Sequence, residues 1–86
     1  MKEATVVLKN EEGLHARAAA MFVRKANQYT SDITLTSEQE EVNAKSIIGI
    51  MSLGIFSGQE MLIRADGADE DEAIQGLVEL IESGIK

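Results

Sequence analysis

The sequence predicts an α+β fold in which helices cover one face of a small antiparallel sheet. Two observations carry this prediction: short segments that alternate apolar and polar residues, and segments whose apolar residues recur at helical spacing. They follow one another in the order βαββαβα. The chain has 86 residues, enough for one domain, residues 1–86, and contains no repeat or linker. Packing helices against the sheet would bury every apolar stripe in two layers.

Four segments are predicted to be strands because apolar and polar residues alternate along them. They are residues 4–8, residues 32–37, a short strand near Val42 and residues 60–66. The polar stretch 37–41 is predicted to be the hairpin connection between the second strand and the third. The residues predicted to share the buried face are Ala4, Val6, Leu8, Ile33, Leu35, Met61, Ile63 and Ala65.

Three segments are predicted to be helices. The first covers residues 16–27, and its predicted buried stripe consists of Ala16, Ala19, Ala20, Phe22, Val23 and Ala26. The second covers residues 47–53 and stops at Gly54. The third follows Asp69, a predicted N-cap, and ends before Gly84. Its predicted buried residues are Ile74, Leu77, Val78 and Ile81.

Charge and composition exclude several classes of function. Asp and Glu outnumber Lys and Arg by 15 to 8, a formal charge of −7, whereas general binding of nucleic acid or of an anionic membrane needs a basic surface. The chain has no cysteine and one histidine, so we expect no disulfide, no metal site and no cofactor. Without an apolar run of about 20 residues or a secretory signal, the protein is predicted to be cytoplasmic.

Acidic and basic residues are unevenly distributed along the chain. Residues 66–72 are strongly acidic, but they do not match a calcium-binding loop, and we interpret them as a solvated helix start. Residues 13–31 contain Arg17, Arg24 and Lys25 and no acid. This segment is therefore predicted to form a basic helix that accepts anions and acidic partners.

His15 is the most informative residue, because it stands directly before the first helical stripe, at or near the N-cap. The first N–H groups of a helix lack helical acceptors, and the helix dipole is positive there. This environment disfavours a charged imidazolium, and it would stabilise a phosphate carried on the ring. Arg17 is close enough in sequence to contact phosphate oxygens. The residues alone leave open the alternative that His15 is a surface histidine that only caps the helix.

Ser46 precedes the short second helix and is predicted to be its N-cap. The simplest interpretation is capping alone, worth about 1 kcal/mol. The functional alternative is phosphorylation, because a helix N-terminus tolerates added negative charge and a phosphate would change the surface without unfolding the domain. A helix this short cannot bury Ile47, Ile48 and Met51 together, so we expect an exposed apolar docking surface there.

Two motifs resemble the HPr family, the histidine-containing phosphocarriers of the bacterial phosphoenolpyruvate-dependent sugar phosphotransferase system. Residues 13–17, Gly-Leu-His-Ala-Arg, are similar to the family's active-site signature. Residues 41–54 are similar to its regulatory-serine segment as found in low-GC Gram-positive bacteria. The resemblance extends over residues 2–84 and implies an open-faced β-sandwich, a four-stranded antiparallel sheet covered on one face by three helices.

The resemblance also implies roles for single residues. His15 would accept a phosphoryl group on Nδ1 from phosphorylated enzyme I and pass it to an enzyme IIA domain, with Arg17 stabilising the transferred group. Ser46 would be phosphorylated by the ATP-dependent HPr kinase/phosphorylase, and the product would act as corepressor for catabolite control protein A. The protein would thus be a phosphoryl-group carrier rather than a stand-alone enzyme. Residues expected to contact partners are Arg24, Lys45, Ile47, Ile48 and Met51.

One position departs from the family pattern. The family usually has proline after the active-site arginine, whereas this chain has Ala18 and no proline at all. Proline in a first helical turn preorganises the backbone without loss of a helical hydrogen bond, so its absence bears on the placement of Arg17 and on the transfer rate. A related paralogue, the catabolite-repression HPr, keeps the serine segment but replaces the histidine. His15 argues for a carrier, and a mainly regulatory protein acting through phosphorylated Ser46 is the alternative.

Overall fold

All seven predicted elements are present in the structure, a computed structural model that describes residues 1–85. The elements are β1 (Lys2–Val7), α1 (Ala16–Ala26), β2 (Asp32–Ser37), β3 (Glu40–Asn43), α2 (Ile47–Ser52), β4 (Glu60–Asp66) and α3 (Glu70–Glu82). The predicted order βαββαβα is confirmed. The longest helix, α3, has 13 residues, and within residues 1–85 no helical segment has the length and hydropathy that a bilayer crossing demands.

The four strands form one antiparallel sheet in the order β1-β4-β2-β3. In the central part of the sheet, Met61 of β4 is paired with Val6 of β1, and Ile63 of β4 is paired with Leu35 of β2. These four side chains are buried on one face, because residues two apart along a strand point the same way. α3 packs against β1 and β4, and α1 packs against α2 and α3. The predicted sheet covered by three helices is therefore confirmed.

β1 begins earlier than the alternation of apolar residues predicts. It spans Lys2–Val7 rather than residues 4–8, because its polar first residues pair with the end of β4. Leu8 lies beyond the strand but stays fully buried, and its N–H donates to the carbonyl of Gln59 at 3.0 Å. Long-range pairing thus extends a strand where hydropathy gives no signal.

The predicted buried stripe of α1 is wrong at two positions. Ala16 and Ala20 are exposed, and Ala18, which was not in the stripe, is buried. The buried residues of the helix are Ala18, Ala19, Phe22 and Ala26. Consecutive alanines fit several rotations of a helix equally well, so the rotation follows from the one aromatic side chain of α1, Phe22, which is completely buried. The helix ends at Ala26, one residue before the predicted end.

The connection between β2 and β3 is a two-residue hairpin turn. Ser37 pairs with Glu40, and the intervening Glu38 and Gln39 have φ values of 50° and 70°. Positive φ at both central residues is typical of the hairpin turns whose twist matches the strands. The predicted hairpin is confirmed, although neither turn residue is one that adopts this backbone conformation readily.

The two ends of α3 differ in their hydrogen bonding. Asp69 is at the predicted N-cap position, although its carboxylate makes no capping hydrogen bond. At the other end, Gly84 has a φ of 84° and its N–H donates to the carbonyl of Ile81 at 3.1 Å. The N–H of Ile85 donates to the carbonyl of Leu80 at 3.1 Å. This pair of bonds is a Schellman motif, which folds Ile85 back against the domain.

Candidate functional site

His15 is the N-cap residue of α1 and is half-buried. Its backbone is extended, with φ −73° and ψ 177°, and its carbonyl accepts the N–H of Ala19 at 2.8 Å. The imidazole makes no capping hydrogen bond. Since the first N–H groups of an α-helix have no intrahelical acceptors, the ring and the positive end of the helix are available to the same anion.

The loop before His15 is fixed by contacts on both sides. The N–H of Leu14 donates to the carbonyl of Ile55 at 2.9 Å, and the side-chain amide of Asn10 donates to the carbonyl of Gly13. Gly13 has a φ of 70°, and a Cβ at this position would lie 2.7 Å from the carbonyl oxygen of Ile55. Only glycine fits this close approach. The position of His15 therefore depends on a loop with little freedom to move.

Arg17 lies with His15 in a shallow cleft of about 320 Å³. The other residues that line the cleft are Asn10, Glu11, Glu12, Ala18, Gly84 and Ile85. Arg17 is exposed and forms no ion pair with a carboxylate of residues 1–85. Its guanidinium is thus available to an incoming anion, with donors in a fork that suits phosphate oxygens.

The surroundings of His15 are less basic than the sequence suggests. Residues 13–31 contain no acid, but the chain folds so that Glu11 and Glu12 line the same cleft as His15 and Arg17. Sequence position alone does not indicate this proximity, because the two glutamates belong to the preceding loop. A phosphoryl group on His15 would therefore be attracted by Arg17 and by the helix end while the two carboxylates repel it.

Ser46 is the N-cap of α2, as the sequence predicts. Its Oγ accepts the N–H of Gly49 at 3.2 Å, and its carbonyl accepts the N–H of Ile50 at 3.0 Å. The residue is only half-buried. Its helix packs against α1, which brings the two helices that begin at His15 and at Ser46 into one layer.

An apolar surface lies on α2, as the shortness of the helix predicts. Ile47, Ile48 and Met51 are 38%, 81% and 46% exposed, whereas Ile50 of the same helix is completely buried. Phe56, in the loop after α2, is 74% exposed and was not predicted. Periodicity does not indicate a single aromatic residue in a loop, and the one sequence signal is a phenylalanine in a short segment bounded by Gly54 and Gly58.

The basic residues expected to contact partners have different environments. Arg24 is exposed in the last turn of α1. Lys45 is half-buried, and its Nζ donates to the carbonyl of Tyr29 at 2.7 Å, so one of its three N–H donors is used within the chain. Lys25 lies with its Nζ 5.9 Å from the centroid of the Tyr29 ring, within the range of a cation–π contact. Arg24 is thus freer to bind a partner than either lysine.

Comparison with known proteins gives one family along nearly the whole chain. The model of the PTS-HPr family, described as the PTS HPr component phosphorylation site, matches residues 2–83. The HPr-like protein Crh of Halalkalibacterium halodurans is 46% identical over 82 residues, 95% of this chain and 98% of the relative. The HPr-like protein Crh of Bacillus subtilis is 41% identical over 99% of this chain and 100% of the relative.

A solved structure agrees with the sequence comparisons. The crystal structure of HPr-C-His from Thermoanaerobacter tengcongensis superposes with a TM-score of 0.96 at 52% identity, covering 99% of this chain and 96% of that one. Family model, sequence relatives and fold point to one assignment, with His15 at the start of the first helix and Ser46 at the start of the second. The chain belongs to the PTS-HPr family.

Proposed function

We propose that this protein is a phosphocarrier, which accepts a phosphoryl group on His15 from phosphorylated enzyme I and passes it to enzyme IIA domains of the sugar phosphotransferase system. The observation that carries the proposal is the open N-terminus of α1. His15 occupies the N-cap position without a side-chain capping hydrogen bond, and Arg17 shares its cleft without an ion-pair partner among residues 1–85. This arrangement supplies a nucleophile and charge stabilisation at one place.

The transfer step needs little more than positioning and charge. The lone pair of the His15 Nδ1 attacks phosphorus while the bond from phosphorus to the donor atom breaks, and that electron pair stays with the donor. The phosphoryl oxygens gain charge-assisted bonds from Arg17 and from the first N–H groups of α1. The carboxylates of Glu11 and Glu12 line the same cleft and repel the negatively charged phosphoryl group. This repulsion favours a phosphohistidine bond that readily breaks when the next acceptor attacks.

The partner surface of the proposed carrier lies on α1 and on α2, which packs against it. Apolar contact would come from Ile47, Ile48 and Met51, which are exposed. Arg24 and the remaining donors of Lys45 would face acidic residues of the partner. Carriers of this kind work beside cytoplasmic enzymes, so we place the protein in the cytoplasm.

The proposal is tested by incubating the protein with phosphoenolpyruvate and enzyme I. Acid-labile phosphate should form on the wild type and on Ser46→Ala, and it should be absent from His15→Ala. Arg17→Ala should keep the site of labelling but slow it by about 100-fold, as expected when a charged group that stabilises the transition state is lost. Undiminished labelling of His15→Ala would refute the proposal.

A second candidate function is regulatory. It is favoured by the two similar curated proteins, which are both named HPr-like protein Crh. In this function, Ser46 is phosphorylated by HPr kinase/phosphorylase with ATP, and the phosphoprotein binds catabolite control protein A as corepressor. Acid-stable phosphate should then form on the wild type and not on Ser46→Ala, and repressor affinity should rise only for the phosphorylated form. The two functions are compatible, because they use different residues.

A further inference from the structure

Phe56 is an aromatic side chain that the fold leaves in solvent. The two phenylalanines of the chain differ in exposure, because Phe22 is completely buried whereas Phe56 is 74% exposed. An aromatic ring of this size contributes more to the core than almost any other side chain. In the isolated domain the exposed ring contributes none of that stabilisation, and aromatic residues are enriched in protein interfaces.

The backbone that carries Phe56 is held rigidly. Its N–H donates to the side-chain Oε1 of Gln59 at 2.9 Å, and its carbonyl accepts the N–H of Gln59 at 3.1 Å. The amide of Gln59 in turn donates to the Oγ of Ser37 at 2.7 Å, and Ser37 is buried at the end of β2. A side chain presented from a fixed backbone loses little entropy on binding, which is a property of interface anchors.

The same loop touches the segment that presents His15. The carbonyl of Ile55 accepts the N–H of Leu14 at 2.9 Å. A Cβ placed on Gly13 would lie 3.3 Å from the Cα of Phe56. The backbone that carries the aromatic ring is therefore close to the residue two positions before His15. A protein that brings a phosphoryl group to His15 would therefore approach the loop that carries Phe56.

We propose that Phe56 is the aromatic anchor by which the phosphoryl-donor protein docks beside His15. This inference rests on the proposed carrier function and adds a specificity-determining residue to it. The donor would present an apolar pocket to Phe56 and acidic residues to Arg17 and Arg24, both of which are exposed. The positive charges of α1 steer the acidic donor protein towards His15, and the ring of Phe56 in the neighbouring loop fixes the position in which the donor docks.

The experiment uses fluorine NMR of the full chain labelled with fluorophenylalanine, which gives one signal from Phe56 and one from Phe22. A soluble gadolinium chelate should relax the Phe56 signal strongly in the free protein and leave Phe22 unaffected. Addition of enzyme I should protect Phe56 from the chelate, with Phe22 as the internal control. In parallel, Phe56→Ala should raise the KM for enzyme I about tenfold, as for the loss of an anchor residue. Val7→Ala removes a side chain that is 41% exposed on the uncovered face of the sheet, and it should not change the KM.

The outcomes separate this inference from the carrier function. Protection of Phe56 together with a raised KM supports the anchor. If enzyme I phosphorylates His15 while Phe56 stays open to the chelate, the anchor is refuted and the carrier function stands. If Phe56 is protected but His15 is not phosphorylated, the docking surface is supported and the carrier function fails. If neither occurs, both proposals are wrong.

Discussion

Asp69 at the start of α3 binds Ser31, which precedes β2, through two hydrogen bonds. Its Oδ1 accepts the N–H of Ser31 at 2.9 Å and the Oγ–H of the same residue at 2.5 Å. Its Oδ2 accepts the N–H of Thr30 at 2.8 Å. The carboxylate therefore joins the start of the last helix to the connection between α1 and β2, and Ser31 is buried beneath it.

These bonds make the stability of the domain depend on pH. The hydroxyl of Ser31, with the N–H groups of Thr30 and Ser31, lowers the pKa of Asp69 to about 2. Because the folded state holds this carboxylate charged more strongly than the unfolded state does, the stabilisation is present above pH 4. It is lost as the pH falls from about 4 towards 2. The urea midpoint of the wild type should decrease through this range.

In the Asp69→Asn variant the urea midpoint should decrease less between pH 4 and pH 2, because the amide side chain does not titrate. The midpoint of this variant at pH 6 should also be lower than that of the wild type. Asp32→Asn is the matched control, since it removes an exposed carboxylate close to Ser31 in sequence. It should leave the pH dependence similar to that of the wild type. The same decrease between pH 4 and pH 2 in wild type and in Asp69→Asn would contradict this account.

The hairpin between β2 and β3 offers a stabilising substitution. Gln39 has a φ of 70°, a conformation that disfavours side chains with a Cβ by about 1 kcal/mol. Gln39→Gly should therefore raise the free energy of unfolding by about 0.5–1 kcal/mol, measured by urea denaturation. Gly54, with a φ of 58° and open space around it, gives the reciprocal control: Gly54→Ala should destabilise by about 1 kcal/mol. A destabilised Gln39→Gly would show that the glutamine makes contacts that outweigh its backbone strain.

The capping bond of Ser46 predicts a stability effect that is independent of any kinase. Ser46→Ala removes the acceptor of the Gly49 N–H and should lower the free energy of unfolding by about 1 kcal/mol. Ser52→Ala removes a hydroxyl of the same helix that is exposed and caps no N–H group, and it should change stability by less than about 0.5 kcal/mol. Equal effects in calorimetry would rule out a special role of the N-cap.

Phosphorylation of Ser46 should slow phosphoryl transfer to His15. α2 packs against α1, so the added charge repels an acidic donor protein that approaches this layer. We expect about a tenfold decrease in the transfer rate at low ionic strength and a smaller one at high salt, because salt screens the repulsion. Labelling His15 with phosphoramidate, a small donor that needs no docking, serves as control and should respond less. Equal rates from enzyme I with and without phosphoserine would disprove the electrostatic mechanism.

Local patterns in the sequence predict most of the fold. β2 and β4 are found with the predicted bounds, because apolar residues at every second position specify both the strand and its buried face. Helical spacing predicts three of the four buried positions of α3, which are Ile74, Leu77 and Ile81. It misses the buried Ala73 and includes Val78, which is only partly covered. α1 shows where this approach fails, because runs of alanine carry almost no information on the rotation of a helix, and only the burial of Phe22 decides it.

The sequence predicts those parts of the candidate site that have a local signature along the chain. The positions of His15 and Ser46 at helix starts were predictable because a helix start has a local signature. Glu11 and Glu12, which face the site, and Phe56, which lies beside it, come to their places through loops held by long-range hydrogen bonds. Asp69 is recognisable in the sequence as a helix start. Its carboxylate, however, accepts hydrogen bonds from Ser31 and Thr30, which are 38 and 39 positions away.

The most direct test of the carrier function is a single-turnover chase from His15. The protein is first charged with labelled phosphate by enzyme I and phosphoenolpyruvate, separated from both, and mixed with an enzyme IIA domain in a rapid-quench instrument. We expect the acid-labile label to leave His15 at the same rate as it appears on the acceptor, with Ser46→Ala behaving like the wild type. A label that stays on the protein, or that is lost only to water, would contradict a carrier role for His15.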